Sequence, residues 1–308
     1  MPTSIIFMGS PQFALETLRA LAEHYPVVGV VTQPDRPAGR GRVLTPPAVK
    51  VLAEELGLPV IQPIRLLDTE TMAVLRGWKP DLFVVAAFGQ ILRQEVLDLP
   101  PFGSLNVHAS LLPRWRGAAP IQAAILNGDK QTGVTIMKMD TGVDTGPLLS
   151  QRALTIQTGE TAGSLAPKLA MLGAELLIDT LPAYLSRDLQ PQPQPGEHTY
   201  APMLKKSDGE LDFSQSASAL ERRIRAFNPW PGTFMTWQNG RLKIHRSRAV
   251  RYAETDKLTD IEPGRRTIYQ EEPAVITGNG LLILEELQPA GKKSMPGKVF
   301  LRGAISWK

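Results

Sequence analysis

The sequence predicts an α/β protein in two parts, a doubly wound and mostly parallel sheet followed by a small β-rich domain or barrel. Three observations predict it. Through the first half of the 308 residues, short apolar runs alternate with amphipathic stretches of helical period, the pattern of strands joined by crossover helices. The run from Asp81 to Ala87 is apolar almost throughout, which suits a strand covered on both faces of a parallel sheet. Beyond a Pro-rich stretch near residue 190 the pattern changes to short alternating runs broken by Gly turns, the signature of antiparallel strands.

Each element follows from its residues. Ser4 to Phe7 reads as the first strand, and Pro11 to Ala22 as a helix with Ala14, Leu15, Leu18 and Leu21 on one face. Val27 to Thr32 is a second strand, Pro47 to Leu56 a helix, Val60 to Gln62 a short strand and Asp68 to Leu75 a helix. Asp81 to Ala87, Ser104 to His108, Gly133 to Met139 and Leu148 to Thr155 supply further strands, with helices from Pro120 to Asn127 and from Thr161 to Leu185. From Asp188 to Gly196, Pro alternates with polar residues, giving an extended, semi-rigid connector and a domain boundary. Ser216 to Phe227 reads as a helix. Gly232 to Gln238, Leu242 to His245, Ala274 to Thr277 and Leu281 to Leu287 read as strands around the turns Asn239-Gly240 and Gly278-Asn279-Gly280. No internal repeat is evident.

Composition narrows the function classes. With 43% hydrophobic residues the chain can bury a sizeable core. There is no Cys, which excludes disulfides, thiolate metal sites and a thiol nucleophile and suits a reducing compartment. The N-terminus lacks a basic leader, so it does not read as a signal peptide. Apolar runs such as Leu82 to Phe88 fall far short of the ~20 residues that span a bilayer. The net charge of +4 is uneven: residues 1–204 carry 16 Lys and Arg against 18 Asp and Glu, and residues 205–308 carry 18 against 12. That excess points to a polyanionic partner for the C-terminal third. Gly9-Ser10-Pro11 stands where a dinucleotide fingerprint would but holds one glycine of the three required, which disfavours NAD. His24, His108, His198 and His245 lack metal-ligand spacing.

Chemistry concentrates at Asn106-Val107-His108. Side chains two apart on a strand point the same way, so one face offers an amide donor and an imidazole, equipment for acyl transfer through a tetrahedral intermediate. On spacing alone, a histidine at a strand end is as often structural. Asp144, in the loop Asp140-Thr141-Gly142-Val143-Asp144-Thr145-Gly146, could aim a carboxylate into a cleft, although by itself it reads more readily as an Asx-turn residue. His108 and this loop both follow strand ends, where ligands bind in open α/β sheets. The polar connection from Gln33 to Arg42 carries Arg36, Arg40 and Arg42, suited to phosphate contacts. Arg222, Arg223, Arg225, Arg241, Lys243, Arg246 and Arg248 offer a second basic surface.

Taken together, Phe7 to Ala14, the loop from Thr32 to Arg42, Asn106 to Gly117 and Gln131 to Leu149 resemble the 10-formyltetrahydrofolate-dependent formyltransferases, and within them the members that act on methionyl-tRNA. The combination of His108-Ala109-Ser110-Leu111-Leu112-Pro113 with a downstream Asp144 is specific; the C-terminal region matches the layout more loosely. The resemblance implies a Rossmann-like folate-binding catalytic domain over residues 1–188, a Pro-rich linker over 189–204 and an OB-fold-like β-barrel that binds tRNA over 205–308. It implies Asn106, His108 and Asp144 as the catalytic set, and Ser110, Leu111, Leu112 and Pro113 lining the folate site. The segment from Ala87 to Leu92 and the loop from Asp140 to Asp144 would embrace the pterin. Arg36, Arg40 and Arg42 are implied as contacts to the tRNA acceptor end.

The implied reaction passes a formyl group from 10-formyltetrahydrofolate, a cosubstrate, to the amino group of methionine on charged initiator tRNA, with no metal and no membrane, in a cytoplasmic monomer. A relative acting on glycinamide ribonucleotide would lack the C-terminal domain, and one acting on an amino-sugar nucleotide the arginine loop; this chain has both. The competitor from another class, a non-catalytic nucleic-acid-binding protein, gives Asn106, His108 and Asp144 no reason to coexist.

Overall fold

In the computed structural model, residues 3–39, 41–238, 240–250, 262–304 and 306–307 are described. Arg40 and Asn239 of the sequence reading lie outside them. Two compact units emerge. One comprises Met1–Pro120, Gln131–Thr155 and Ala166–Ala201, and the other Ile121–Lys130, Ile156–Leu165 and Pro202–Lys308.

The chain begins with β1 (Ile5–Gly9), a 3-10 turn at Gln12–Ala14 and α1 (Leu15–His24). Ala14, Leu18 and Leu21 are fully buried, so the apolar stripe faces the sheet. β2 (Val27–Val31) follows, then β3 (Arg36–Ala38) and β4 (Val43–Thr45), which pair as a hairpin inside the arginine-bearing connection. Next come α2 (Ala48–Glu55), β5 (Val60–Ile61), α3 (Thr69–Gly77), β6 (Leu82–Ala86) and α4 (Gln94–Leu97). β7 (Ser104–His108), β8 (Arg116–Gly117), α5 (Pro120–Asn127), β9 (Gln131–Lys138), β10 (Leu148–Thr155), α6 (Ala162–Leu185) and β11 (Tyr200–Ala201) continue the chain.

The strands assemble in the order β10-β9-β7-β6-β1-β2-β5. The five from β7 to β5 are mutually parallel, whereas β9 pairs antiparallel to β7 and β10 antiparallel to β9. β1 and β6 are buried along their whole length, as the uninterrupted apolar runs require. The chain leaves β1 first through β2 and β5, then returns through β6 and β7 on the other side. This reversal sets a switch point between β1 and β6, where ligand clefts form in such sheets. Ile6, Met8, Val31, Phe83 and Val85 pack with Leu75, Phe88 and Leu92 into a core on one face. Gly29 of β2 is there for room, since a Cβ at that position would stand 2.2 Å from the Trp78 ring.

The Pro-rich stretch is built into this unit. Leu148 and Gln192 exchange backbone hydrogen bonds of 2.7 and 2.8 Å, and β11 pairs in parallel with β8. Proline lacks an N–H, so alternating Pro with Gln leaves a donor at every second residue, enough to lie along a sheet edge.

In the other unit, α7 (Ala217–Ala226), β12 (Thr233–Trp237), β13 (Gly240–Val250), β14 (Arg266–Tyr269), β15 (Glu272–Ile276), β16 (Leu281–Gln288), β17 (Met295–Pro296) and α8 (Gly297–Gly303) follow. The strands form an antiparallel sheet of order β12-β13-β16-β15-β14, with β17 on β16. Register shifts around Arg246 bend the long β13. Leu220 and Ile224 of α7, Leu282, Leu284 and Leu287 of β16, and Phe300 and Trp307 share one core. Ser216 caps α7 by accepting a hydrogen bond from the Ala219 N–H.

The arginines of α7 do not form the open basic surface that composition suggests. Arg222 donates to the Leu126 carbonyl, Arg223 to the Asp208 carbonyl, and Arg225 to the Glu160 carbonyl and the Glu221 carboxylate. Each guanidinium satisfies backbone or carboxylate oxygens within its own unit, a use that charge counting cannot reveal.

Candidate active site

β7 is held between β6 and β9 in a fixed register, with Val85 opposite Asn106 and His108 opposite Thr135. Asn106 and His108 therefore project from the same side of the sheet. Asp144 arrives by a route the sequence did not suggest. Because β9 runs antiparallel to β7, its carboxyl end lies beside Leu105, and the loop of residues 140–146 must fold back to reach the two side chains.

The three groups meet. Asp144 Oδ1 accepts a hydrogen bond of 3.2 Å from Asn106 Nδ2, and Oδ2 accepts one of 2.8 Å from the Gly117 N–H. Oδ2 also stands 3.6 Å from His108 Nδ1. On the far side of the ring, Nε2 lies 2.9 Å from the Trp115 carbonyl oxygen. A carbonyl only accepts, so Nε2 carries a proton and Nδ1 is the nitrogen turned toward Asp144. His108 is 5% exposed, so the ring is gripped on both sides and largely withdrawn from water.

The backbone around the site is unusual. Asp144 has φ 53° and Trp115 φ 61°, left-handed conformations that cost a non-glycine residue about 1–2 kcal/mol and persist where surrounding contacts fix them. For Asp144 those contacts come from Gln194, whose Nε2 donates to the carbonyl oxygens of both Asp144 and Gly146 at 2.8 Å. The Gln194 Oε1 accepts from Arg116 Nε and Nη2 at 3.0 and 2.7 Å. Gly146 has no alternative at its position, because a Cβ would sit 1.9 Å from the Lys138 carbonyl oxygen.

Ser110 to Pro113 form the turn after β7. The Ser110 hydroxyl donates to the Arg114 carbonyl at 2.6 Å, and Ser110 and Leu112 are 1% and 2% exposed. The turn is tied to β9 and β10: the Thr135 hydroxyl donates to the Ser110 carbonyl and accepts from the Leu112 N–H, while Gln151 Nε2 reaches the Leu112 carbonyl. A separate cleft is lined by Gln90, Ile91, Leu92, Met137, Met139, Asp140, Gly142, Val143 and Asp144. Two of the segments implied for the pterin thus face each other across it, with Asp144 shared between cleft and triad. Ser110 to Pro113 are not among its lining residues. A mainly apolar slot edged by two carboxylates, Asp140 and Asp144, suits a flat heteroaromatic ring that carries hydrogen-bond donors.

Arg36 and Arg42 are exposed on the β3–β4 hairpin, Arg36 donating to Gln33 Oε1 at 3.0 Å; Arg40 lies outside the described residues. Among the described residues no group of three or more His, Asp or Glu is arranged to hold a metal ion, and no helix is long and apolar enough to cross a membrane. Sequence reasoning missed Gln194 and the backbone groups of Trp115 and Gly117. Carbonyls and N–H groups have no sequence signature, and Gln194 stands 50 residues from Asp144 inside a stretch whose composition reads as a spacer.

Comparison with known proteins agrees along the chain. Residues 3–181 match the family model described as formyl transferase, and residues 203–304 match formyl transferase, C-terminal domain. The methionyl-tRNA formyltransferase of Myxococcus xanthus (strain DK1622) is 49% identical over 300 residues, covering 97% of this chain and 94% of that protein. The methionyl-tRNA formyltransferase of Bacillus subtilis (strain 168) is 46% identical over 306 residues, covering 98% and 95%. Among solved structures, methionyl-tRNA formyltransferase from Clostridium thermocellum superposes with a TM-score of 0.54 at 20% identity, covering 80% of this chain and 93% of that one. By these matches at both ends of the sequence, the chain belongs to the formyl transferase family.

Proposed function

We propose that this protein transfers the formyl group of 10-formyltetrahydrofolate to the amino group of methionine on charged initiator tRNA. The observation that carries the reading is the meeting of Asn106, His108 and Asp144 at 3.2 and 3.6 Å beside a cleft that shares Asp144. The relatives named for this reaction match both units, which favours the tRNA substrate over a small amine.

In this reading the methionine nitrogen attacks the formyl carbon, and the carbonyl oxygen gathers negative charge. Asn106 Nδ2 has two hydrogens; one is used on Asp144, and the second is available to the oxyanion. His108, with its Nε2 proton held by the Trp115 carbonyl, presents Nδ1, which accepts a proton and, once protonated, is a second donor to the oxyanion. Asp144 takes the amine's proton, directly or through a water, and passes it to the folate nitrogen as the bond from that nitrogen to the formyl carbon breaks. The step leaves tetrahydrofolate and a formylated amine, with no covalent enzyme intermediate. Ser110 to Pro113 shape the wall behind the donor. Arg36, Arg40 and Arg42 contact the acceptor end, the work of residues 205–308 is to hold tRNA, and the chain acts as a cytoplasmic monomer.

Incubation with 10-formyltetrahydrofolate and methionine-charged initiator tRNA tests the reading by the appearance of formylmethionine on the tRNA, with glycinamide ribonucleotide as the control amine. His108→Gln should lower kcat by about 10²–10⁴-fold, the usual worth of a general acid–base or oxyanion group, and leave tRNA affinity unchanged. Full turnover by the variant would remove His108 from the chemistry. Formylation of the control alone would remove the tRNA.

A further inference from the structure

Gln194 belongs to the stretch that pairs along β10 and β8, and its amide uses every hydrogen-bonding capacity it has. Two N–H donors meet the carbonyl oxygens of Asp144 and Gly146, and the two lone pairs of Oε1 meet the Nε and Nη2 of Arg116. The arrangement fixes its own orientation. Turned over, the amide would set its oxygen against two carbonyls and its nitrogen against a guanidinium, four repulsive contacts in place of four favourable ones.

Of the two carbonyls it gathers, one belongs to the left-handed residue whose carboxylate meets Asn106, Gly117 and His108, and the other lies two residues further along the same loop. Arg116, which orients the amide, adjoins both Trp115, whose carbonyl holds the His108 ring, and Gly117, whose N–H holds Asp144 Oδ2. One side chain thereby ties the loop bearing the carboxylate to the segment bearing the imidazole's anchor. We propose that Gln194 is a positioning residue for the reaction, acting through Asp144 by fixing the backbone conformation that aims its carboxylate. The inference rests on the function proposed above and deepens it, since it assigns catalytic geometry to a stretch that composition marks only as a connector.

Gln194→Met keeps the length and shape and removes all four bonds. Gln194→Glu keeps the acceptors for Arg116 but sets a carboxylate oxygen against the Asp144 and Gly146 carbonyls. Each variant should lower kcat by about 10–100-fold, the scale on which a displaced catalytic group costs rate, with the KM for 10-formyltetrahydrofolate changed less than threefold. The decisive readout is a cycle with Asp144→Ala. A residue acting through Asp144 has nothing left to position in that background, so adding Gln194→Met should cost less than about twofold more. Additive losses overturn the proposal. So does unchanged kcat in Gln194→Met, or a loss in both variants that follows their melting temperatures and disappears at an assay temperature where they are fully folded. If the unaltered protein forms no formylmethionine, the function fails instead, and the clamp is then judged by whether the loop of residues 140–146 keeps its conformation in a crystal structure of Gln194→Met.

Discussion

The Thr135 hydroxyl donates to the Ser110 carbonyl at 2.6 Å and accepts from the Leu112 N–H and Gln151 Nε2 at 3.1 and 2.9 Å. One fully buried oxygen therefore anchors the turn that follows His108. Three residues earlier on the same strand, the Thr132 hydroxyl is also buried but has no hydrogen-bond partner. The pair separates two uses of one side chain. Thr135→Val, nearly isosteric, would strand a buried carbonyl and a buried N–H and should cost about 2–4 kcal/mol. Thr132→Val removes a buried hydroxyl that bonds nothing and should be neutral or stabilising. Urea unfolding of the two variants checks both, and equal destabilisation would show that Thr135 contributes only its volume. At this scale the site was legible where side-chain chemistry carries it. An amide and an imidazole two apart mark Asn106 and His108 as candidates by type and spacing, while Asp144 reads by itself as a turn residue and joins them only through the resemblance to the formyltransferases. Thr135 and Gln194 carry no such mark, because their importance lies in contacts with backbone atoms that any residue would supply.

Among the elements, the β3–β4 hairpin is fastened at its base by a residue of its own loop. Asp35 accepts from Lys50 Nζ at 2.9 and 3.1 Å and from Gln62 Nε2 at 2.6 Å, and Gln62 also donates to the Gln33 carbonyl. The hydrogen bond from Gln62, followed by that from Lys50, holds the Asp35 carboxyl below its ordinary 3.8. A depressed carboxyl stabilises the fold above its unfolded pKa, and that contribution is lost as pH falls through the lower folded value. The latch should therefore be intact at neutral pH and open only in acid, below about pH 4. Hydrogen exchange of the hairpin amides, corrected for intrinsic rates and referenced to β1 and β6, should show protection that holds at neutral pH and falls once acid takes the pH below the ordinary carboxyl value. In Asp35→Asn it should be low and flat. Protection that falls equally in both proteins would discard the latch. This hairpin, the β8–β11 ribbon and the antiparallel sense of β9 are among the features the sequence left unread, as are α4, β14, β17 and α8. β3, β4, β8 and β11 span two or three residues each, too short for periodicity to register, and strand direction depends on a partner that local pattern does not name. The long apolar strands were legible, β6 to within a residue at either end, because full burial on two faces leaves a signal in composition itself.

For the molecule as a whole, charge has to be divided into what the fold consumes and what it leaves for a partner. The net +4 and the basic C-terminal third suggest a polyanion, yet Arg222, Arg223 and Arg225 are spent on oxygens of their own unit, and Arg246 and Arg248 pair with Glu272 and Glu285. The exposed Arg42 on the hairpin is in a different position. Its charge faces solvent at the tip of a fastened element, available to neutralise a phosphate. Each neutralised phosphate releases counterions and steepens the dependence of binding on salt by about one unit in the log–log slope. With methionine-charged tRNA below saturation, kcat/KM should fall steeply as salt rises, and the KM for 10-formyltetrahydrofolate should barely move. Arg42→Ala should lower kcat/KM for tRNA by about tenfold and flatten the slope by about one. Arg223→Ala, which strands the Asp208 carbonyl, should lower the melting temperature and leave the slope alone. The reverse outcome, a slope that responds to Arg223 and ignores Arg42, would move the tRNA contact from the hairpin to α7 and require those guanidiniums to leave their carbonyls on binding.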